Sequence, residues 1–184
     1  MTHTDQSTTA ASPLGTVLSG QHQQAKAAME LVATSSGPDR RTAFTQLCYL
    51  LAAHEAAEEE TLHRMGSIDL GADKDVVTAR LGEEEEAGTA ITDLEALDVE
   101  SDHFATEFLA FQKAVIAHAG AEEHDELPAL APGLSAEQER RILDALAQVG
   151  DLAQNSDGQL TANGDTFVAM LGAAREHFHR LDNG

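Results

Sequence analysis

The chain carries one short pattern twice, His54-Glu55-Ala56-Ala57-Glu58 and His118-Ala119-Gly120-Ala121-Glu122. A His and a Glu four residues apart on a helix lie about 40° apart in azimuth and about one turn apart along the axis. Each pair therefore points one imidazole and one carboxylate the same way. What constrains the fold is the phase of these pairs against the apolar residues around them. Phe44, Leu47, Leu51, His54, Glu58, Thr61 and Met65 step by three and four, as do Phe104, Phe108, Phe111, Val115, His118, Glu122 and Asp125. That stepping is the inward stripe of a bundle helix. Both pairs are expected to face a core, where an unpaired carboxylate is costly.

Two more segments share the pattern. After Ser12 as N-cap and Pro13 at the first turn, Val17, Leu18, His22, Ala25, Met29 and Val32 form a stripe that includes a histidine. From near Asp73 to about Leu97, Val77, Leu81, Glu84, Gly88 and Ile91 form another, with Leu94 close beside. Glu84 is one member of the run Glu83–Glu86; the other three read as a solvated face. The breaks are Ser35-Ser36-Gly37-Pro38, a loop over Gly66–Ala72, and Asp98–Asp102 with Ser101 as N-cap; Pro128 is expected to end the fourth helix. Short connections make the four helices run up, down, up, down. Counted along their helices at about 1.5 Å per residue, His22, His54, Glu84 and His118 then all lie roughly 13–17 Å from the same end of the bundle.

Composition fits this reading. Aromatic residues are only 4% and Trp is absent, which suits an Ala/Leu-rich helical core better than a β-rich one. At 184 residues the chain is expected to be one domain with a leader (1–12), a bundle (13–130) and a C-terminal extension (131–184). In the extension, Ser135–Val149 opens with a capping signature, Gly150–Gly164 reads as a loose segment, and Asp165–Leu181 reads as an amphipathic helix. The predicted architecture is all-α: an up-down-up-down four-helix bundle with two short accessory C-terminal helices.

A net charge of −21 argues against nucleic acid or an anionic membrane as partner. No apolar run approaches the roughly 20 residues of a membrane span, the first twelve residues lack the apolar stretch of a secretory signal, and the single Cys48 suits a reducing compartment. A cytoplasmic protein is expected; the oligomeric state is left open.

The chemistry follows from the depth and the phase. Several close carboxylates raise each other's pKa unless a cation sits between them, and neutral imidazoles beside carboxylates suit a transition metal. The candidate ligands are His22, His54, Glu58, Glu84, His118 and Glu122, enough for two metals if carboxylates bridge. This matches the inward Glu/His pattern of di-iron carboxylate bundles. Glu55 follows His54 directly but is about 100° off phase. His63 and His124 fall on outward faces, His103 belongs to the far end of the bundle, and His177 and His179 at a spacing of two cannot share one helix face. No glycine-rich phosphate loop, cysteine pair for zinc, or nucleophilic triad is present.

These residues resemble the hemerythrin-like, or HHE cation-binding, domain over about residues 13–130. A lone histidine (His22) precedes His54 with Glu58 and His118 with Glu122, and the phrases HEAAEEETLH and HAGAEEHDELPAL are similar to that family's second and fourth helices. The resemblance implies two non-haem iron ions, bridged by carboxylate and by oxo or hydroxo, and a small oxidant (oxygen, peroxide or nitric oxide) as partner. The family's third helix usually carries a histidine, whereas this chain offers Glu84, with Glu85 as its neighbour and rival. A more anionic ligand set favours the ferric state and leans toward oxygen or peroxide chemistry, including catalase-like peroxide consumption, over reversible oxygen storage. The rivals are a di-iron oxidase acting on a small organic substrate and a non-catalytic iron-binding or interaction module.

Overall fold

The computed structural model describes residues 12–64, 74–155 and 166–182. Helix α1 (Pro13–Thr34) starts as the sequence demands: the Ser12 hydroxyl accepts from the Gly15 amide at 3.0 Å, and Pro13 fills a position whose amide would have had no partner. After Ser35-Ser36 the chain turns through Gly37, at φ 57°, a backbone state that an L side chain resists, and enters α2 (Gly37–Glu58). Helix α3 spans Lys74–Glu95 and α4 spans Asp102–Ala121, the latter capped by Ser101, which accepts from the Phe104 amide at 3.1 Å. Among the described residues there is no strand, and no helix is long and apolar enough to cross a membrane.

Helix α1 packs on α2 and α4, and α3 packs on α4, which makes the bundle. Its far end is closed by Phe44, Phe104, Phe108 and Phe111, with Phe44 edge-on to Phe104 and Phe104 stacked on Phe108 at 5.4 Å. The apolar side of each stripe is buried as expected: Leu18, Ala25, Met29 and Val32 on α1, and Phe44, Leu47 and Leu51 on α2.

Helix α2 departs from the two-faced pattern. Ala43, Cys48, Tyr49, Ala52, Ala53, Ala56 and Ala57 are buried as well, on sides the stripe does not cover. The C-terminal extension accounts for this. Helices α5 (Ala136–Leu146), α6 (Val149–Asn155) and α7 (Thr166–Asp182) all pack on α2. Small residues on that side let the helices approach closely, and Phe167, Met170, Ala174 and Phe178 of α7 supply the buried apolar face. The extension is therefore a second wall around α2. The capping box at the start of α5 is present, with Ser135 and Gln138 each accepting the other's amide.

Several expectations need correction. Residues 150–155 of the segment expected to be loose are helical, in a helix that starts at Val149, because Val149 is buried in the core and Leu152 packs against it; the rest of that segment lies outside the described residues. Leu81, placed on the inner stripe of α3, is 39% exposed, and Asp125 of α4 is exposed too. Pro128 does not end the fourth helix: the chain continues through one wider turn (Glu122–Glu126), Leu127–Leu130 and a tight turn to Gly133. A widened turn just upstream relieves the clash between a proline ring and the carbonyl four residues back. The loop over Gly66–Ala72 and the seam residue Met65 lie outside the described residues.

Candidate metal centre

All six residues proposed from the sequence meet at one level of the bundle. His22 of α1, His54 and Glu58 of α2 and Glu122 at the end of α4 are buried, and one donor atom from each lies within 4.8 Å of the others. Within this group His22 Nε2 is 3.0 Å from Glu122 Oε2, and His54 Nε2 is 3.4 Å from Glu58 Oε2. The other oxygen of Glu122, Oε1, faces His118 Nε2 at 2.9 Å. Glu122 thus presents one oxygen to each of two neighbouring positions, as a bridging carboxylate must. Around the second position His118, Glu84 and Glu55 again bring donor atoms within 4.8 Å. On α3 it is Glu84, mostly buried, that faces inward, while Glu85 is exposed.

The outer faces of the imidazoles are held separately. His54 Nδ1 is 3.0 Å from Gln21 Oε1, His22 Nδ1 is 2.7 Å from Glu123 Oε1, and His118 Nδ1 is 3.0 Å from Glu83 Oε2. Glu83 is in turn steadied by Arg80 Nη1 at 2.8 Å. With an acceptor beyond each Nδ1, the proton belongs there and Nε2 is left with its lone pair turned inward. This is how proteins fix the tautomer and ring orientation of metal-binding histidines.

The inner atoms are close but not hydrogen-bonded. His22 Nε2, His118 Nε2 and both oxygens of Glu58 and of Glu122 are buried without an aligned partner. Polar atoms inside proteins rarely go unpaired, because each one left so costs about 1–3 kcal/mol. Metal bonds of about 2.0–2.2 Å place neighbouring donor atoms roughly 3–4 Å apart, which is the spacing found. The residues present fit a cation.

A family model for the hemerythrin HHE cation-binding domain matches residues 15–130. The chain belongs to the hemerythrin HHE cation-binding family. No curated protein and no solved structure matched it.

Protons stand in for cations in this HHE domain when none is bound. Burial pulls His118 down, but Glu122 and its other acidic neighbours outweigh it and raise the group to about 10. His22 is raised in the same way by Glu122 and Glu123 against the pull of burial. His54 goes the other way, lowered to about 4 by burial with the neighbouring imidazoles adding to it, and so is neutral and ready to ligate. Burial, then the charge of Glu84, lifts Glu55 to about 8; burial, then Glu122 and Glu55, lifts Glu58 well above the carboxylate range. Glu122 alone is depressed: burial opposes ionisation, but His118 and His22 prevail.

Three groups in this HHE domain escape a heptad reading. His63, expected outside, is 2% exposed and lies 3.0 Å by Nδ1 from Glu84 Oε1 and 3.3 Å by Nε2 from Glu126 Oε1. Glu126 is buried where Asp125 was expected. The cause is the same in both helices. Where each His-x-x-x-Glu pair ends the helix opens into a π-turn, Glu59–His63 just after the pair on α2 and Glu122–Glu126, starting at the pair's own glutamate, on α4. One extra residue in a turn retards everything beyond it by about 100°, so His63, nine residues after His54, takes the azimuth of an eighth. The Thr61 hydroxyl donates to the Ala57 carbonyl within the first π-turn, occupying an acceptor there. On α4, Pro128 was the available signal; on α2 the sequence offers none. Glu55, off phase by about 100°, still reaches Glu84 and His118 because the second position lies to that side of α2. Of the other histidines, His103 pairs with Glu107 at the surface, His124 is exposed, and His177 contacts Gln148.

Proposed function

We propose that the domain holds two iron ions between His22, His54, Glu58 and Glu122 on one side and His118, Glu84 and Glu122 on the other, and that it binds or reacts with a small oxidant. The observation that carries this is the set of buried, inward-facing donor atoms that no hydrogen bond satisfies. Iron supplies the redox change; the chain supplies everything else. Gln21, Glu123 and Glu83 keep the imidazoles oriented, Glu122 spans the two positions, and the Phe44–Phe104–Phe108 cluster seals the far end against water. With carboxylates dominating the second position, the ferric state is favoured, and peroxide or oxygen consumption is preferred over reversible storage.

Protein loaded anaerobically with ferrous iron should hold two irons per chain and develop near-ultraviolet absorption on exposure to oxygen or peroxide. Two irons with no response to oxygen, peroxide or azide would leave a structural ion and an interaction module. No iron at all would overturn the reading.

A second reading rests on a groove of about 920 Å³ between α3 and α4. It runs from His103 along Ala87, Ala90 and Ala114 to Glu55 and His118 at the second metal position. That volume far exceeds what a diatomic or peroxide needs and lies within the range of small-molecule sites. It favours a di-iron oxidase with an organic substrate. Oxygen uptake that rises on adding candidate amphipathic compounds, and falls when Ala114→Trp fills the groove, would select it.

A further inference from the structure

The position of His63 is unlike that of a histidine kept for packing. It is enclosed, it sits in the π-turn, and both ring nitrogens are buried without an aligned hydrogen bond although carboxylates flank each one. A structural imidazole between two acids would align with at least one of them, since a buried pair depends on good geometry. Instead one donor atom each from His63, Glu84 and Glu122 lies within 4.8 Å of the others, the spacing also found for the two groups already described. The rear of the ring completes the comparison. His54 has Gln21 behind it, His22 has Glu123, and His118 has Glu83; His63 has Glu126, which is fully buried and neither of whose oxygens makes a hydrogen bond. The ring is reversed relative to the other three, with Nδ1 toward Glu84 and Nε2 toward the acid behind.

We propose that His63 is a fourth imidazole ligand of the centre, binding through Nδ1 the cation that Glu84 and Glu122 also hold, with Glu126 accepting from Nε2–H behind it. The α3 residue that faces the second position is Glu84, a carboxylate, so the π-turn in α2 lets one helix bring imidazoles to both positions: His54 to the first and His63 to the second. This rests on the reading of the site as a metal centre, and the test separates the two.

The test uses the full chain loaded with cobalt(II), measuring bound metal after desalting and counting exchangeable, hyperfine-shifted imidazole N–H resonances by proton NMR. The wild-type protein should hold two cobalts and show four such signals. His63→Gln should show three, with the second cobalt bound at least tenfold more weakly. Glu126→Gln, which keeps the side-chain shape, should hold both cobalts and shift one of the four signals. Three signals in the wild type, or the same count in His63→Gln, would overturn the assignment while leaving the metal centre intact. No cobalt in the wild type would overturn the centre itself. Should His63→Gln fail to fold, a Glu126→Gln spectrum identical to the wild type would be enough to reject the proposal.

Discussion

Loading the centre with a divalent cation must expel protons, and the raised groups around it set a lower bound on their number. At neutral pH the metal-free site holds one proton on Glu55, raised to about 8, and a second ionisable proton on His118, raised to about 10. His54 is already neutral and Glu122 already ionised, so neither contributes. Glu58, His22 and His63 are raised as well, and any proton they hold adds to the count. At least two protons therefore leave on binding, and each makes the apparent affinity tenfold weaker per pH unit, about 1.4 kcal/mol. Going from pH 7 to pH 6 should weaken zinc or ferrous binding by about 100-fold or more. Competition against a chromophoric chelator at several pH values measures the slope directly. Calorimetry in two buffers of different ionisation enthalpy counts the protons independently. An affinity independent of pH between 6 and 7.5 would mean that the inward atoms are not the ligands, and would refute the reasoning.

Glu58→Gln matches the protonated carboxyl in shape, so the metal-free protein should change in unfolding free energy by less than about 1.5 kcal/mol, while metal content by elemental analysis falls. Phe178→Ala removes a fully packed ring from the wall behind α2 and should cost about 3–5 kcal/mol in a denaturant titration, with metal stoichiometry preserved in the folded fraction. The metal-free protein should become less stable as pH rises. Glu55 and His118 have folded values of about 8 and about 10, above their ordinary ones, so folding takes up protons and their contribution is lost between roughly pH 4.5 and 10. A melting temperature that climbs from pH 6 to pH 9 without metal would contradict this.

The sequence carried the bundle, the buried stripes of α1 and α2, and the level at which His22, His54, Glu84 and His118 meet, because all of these obey one regular helical period. Reading failed where the period changed. His63 and Glu126 are the last residues of the turns that hold an extra residue, and a count that assumes 3.6 residues per turn assigns them to the wrong side. It also failed where one helix was asked to have two inner faces. The alanines at 52, 53, 56 and 57 look like ordinary helix formers, and nothing local says that α7 lies against them. Outer partners such as Glu83 and Glu123 were hidden for a third reason: an acid on a half-exposed face is indistinguishable, in sequence, from one that serves only solubility.

The enclosure of α2 has a mechanical consequence. A rod held by α1 on one side and by α5, α6 and α7 on another has little room to yield, so His54, Glu55, Glu58 and His63 hang from the most enclosed helix among the described residues. Helix α3 is held more loosely: grooves of about 920 and 590 Å³ run along its flanks, and Leu81 is partly exposed. Whatever adjustment of a few tenths of an ångström separates the empty from the loaded centre should be taken up by α3 swinging Glu84 toward a fixed anvil. Amide exchange in the α3 backbone, rather than in α2, should then slow when metal binds.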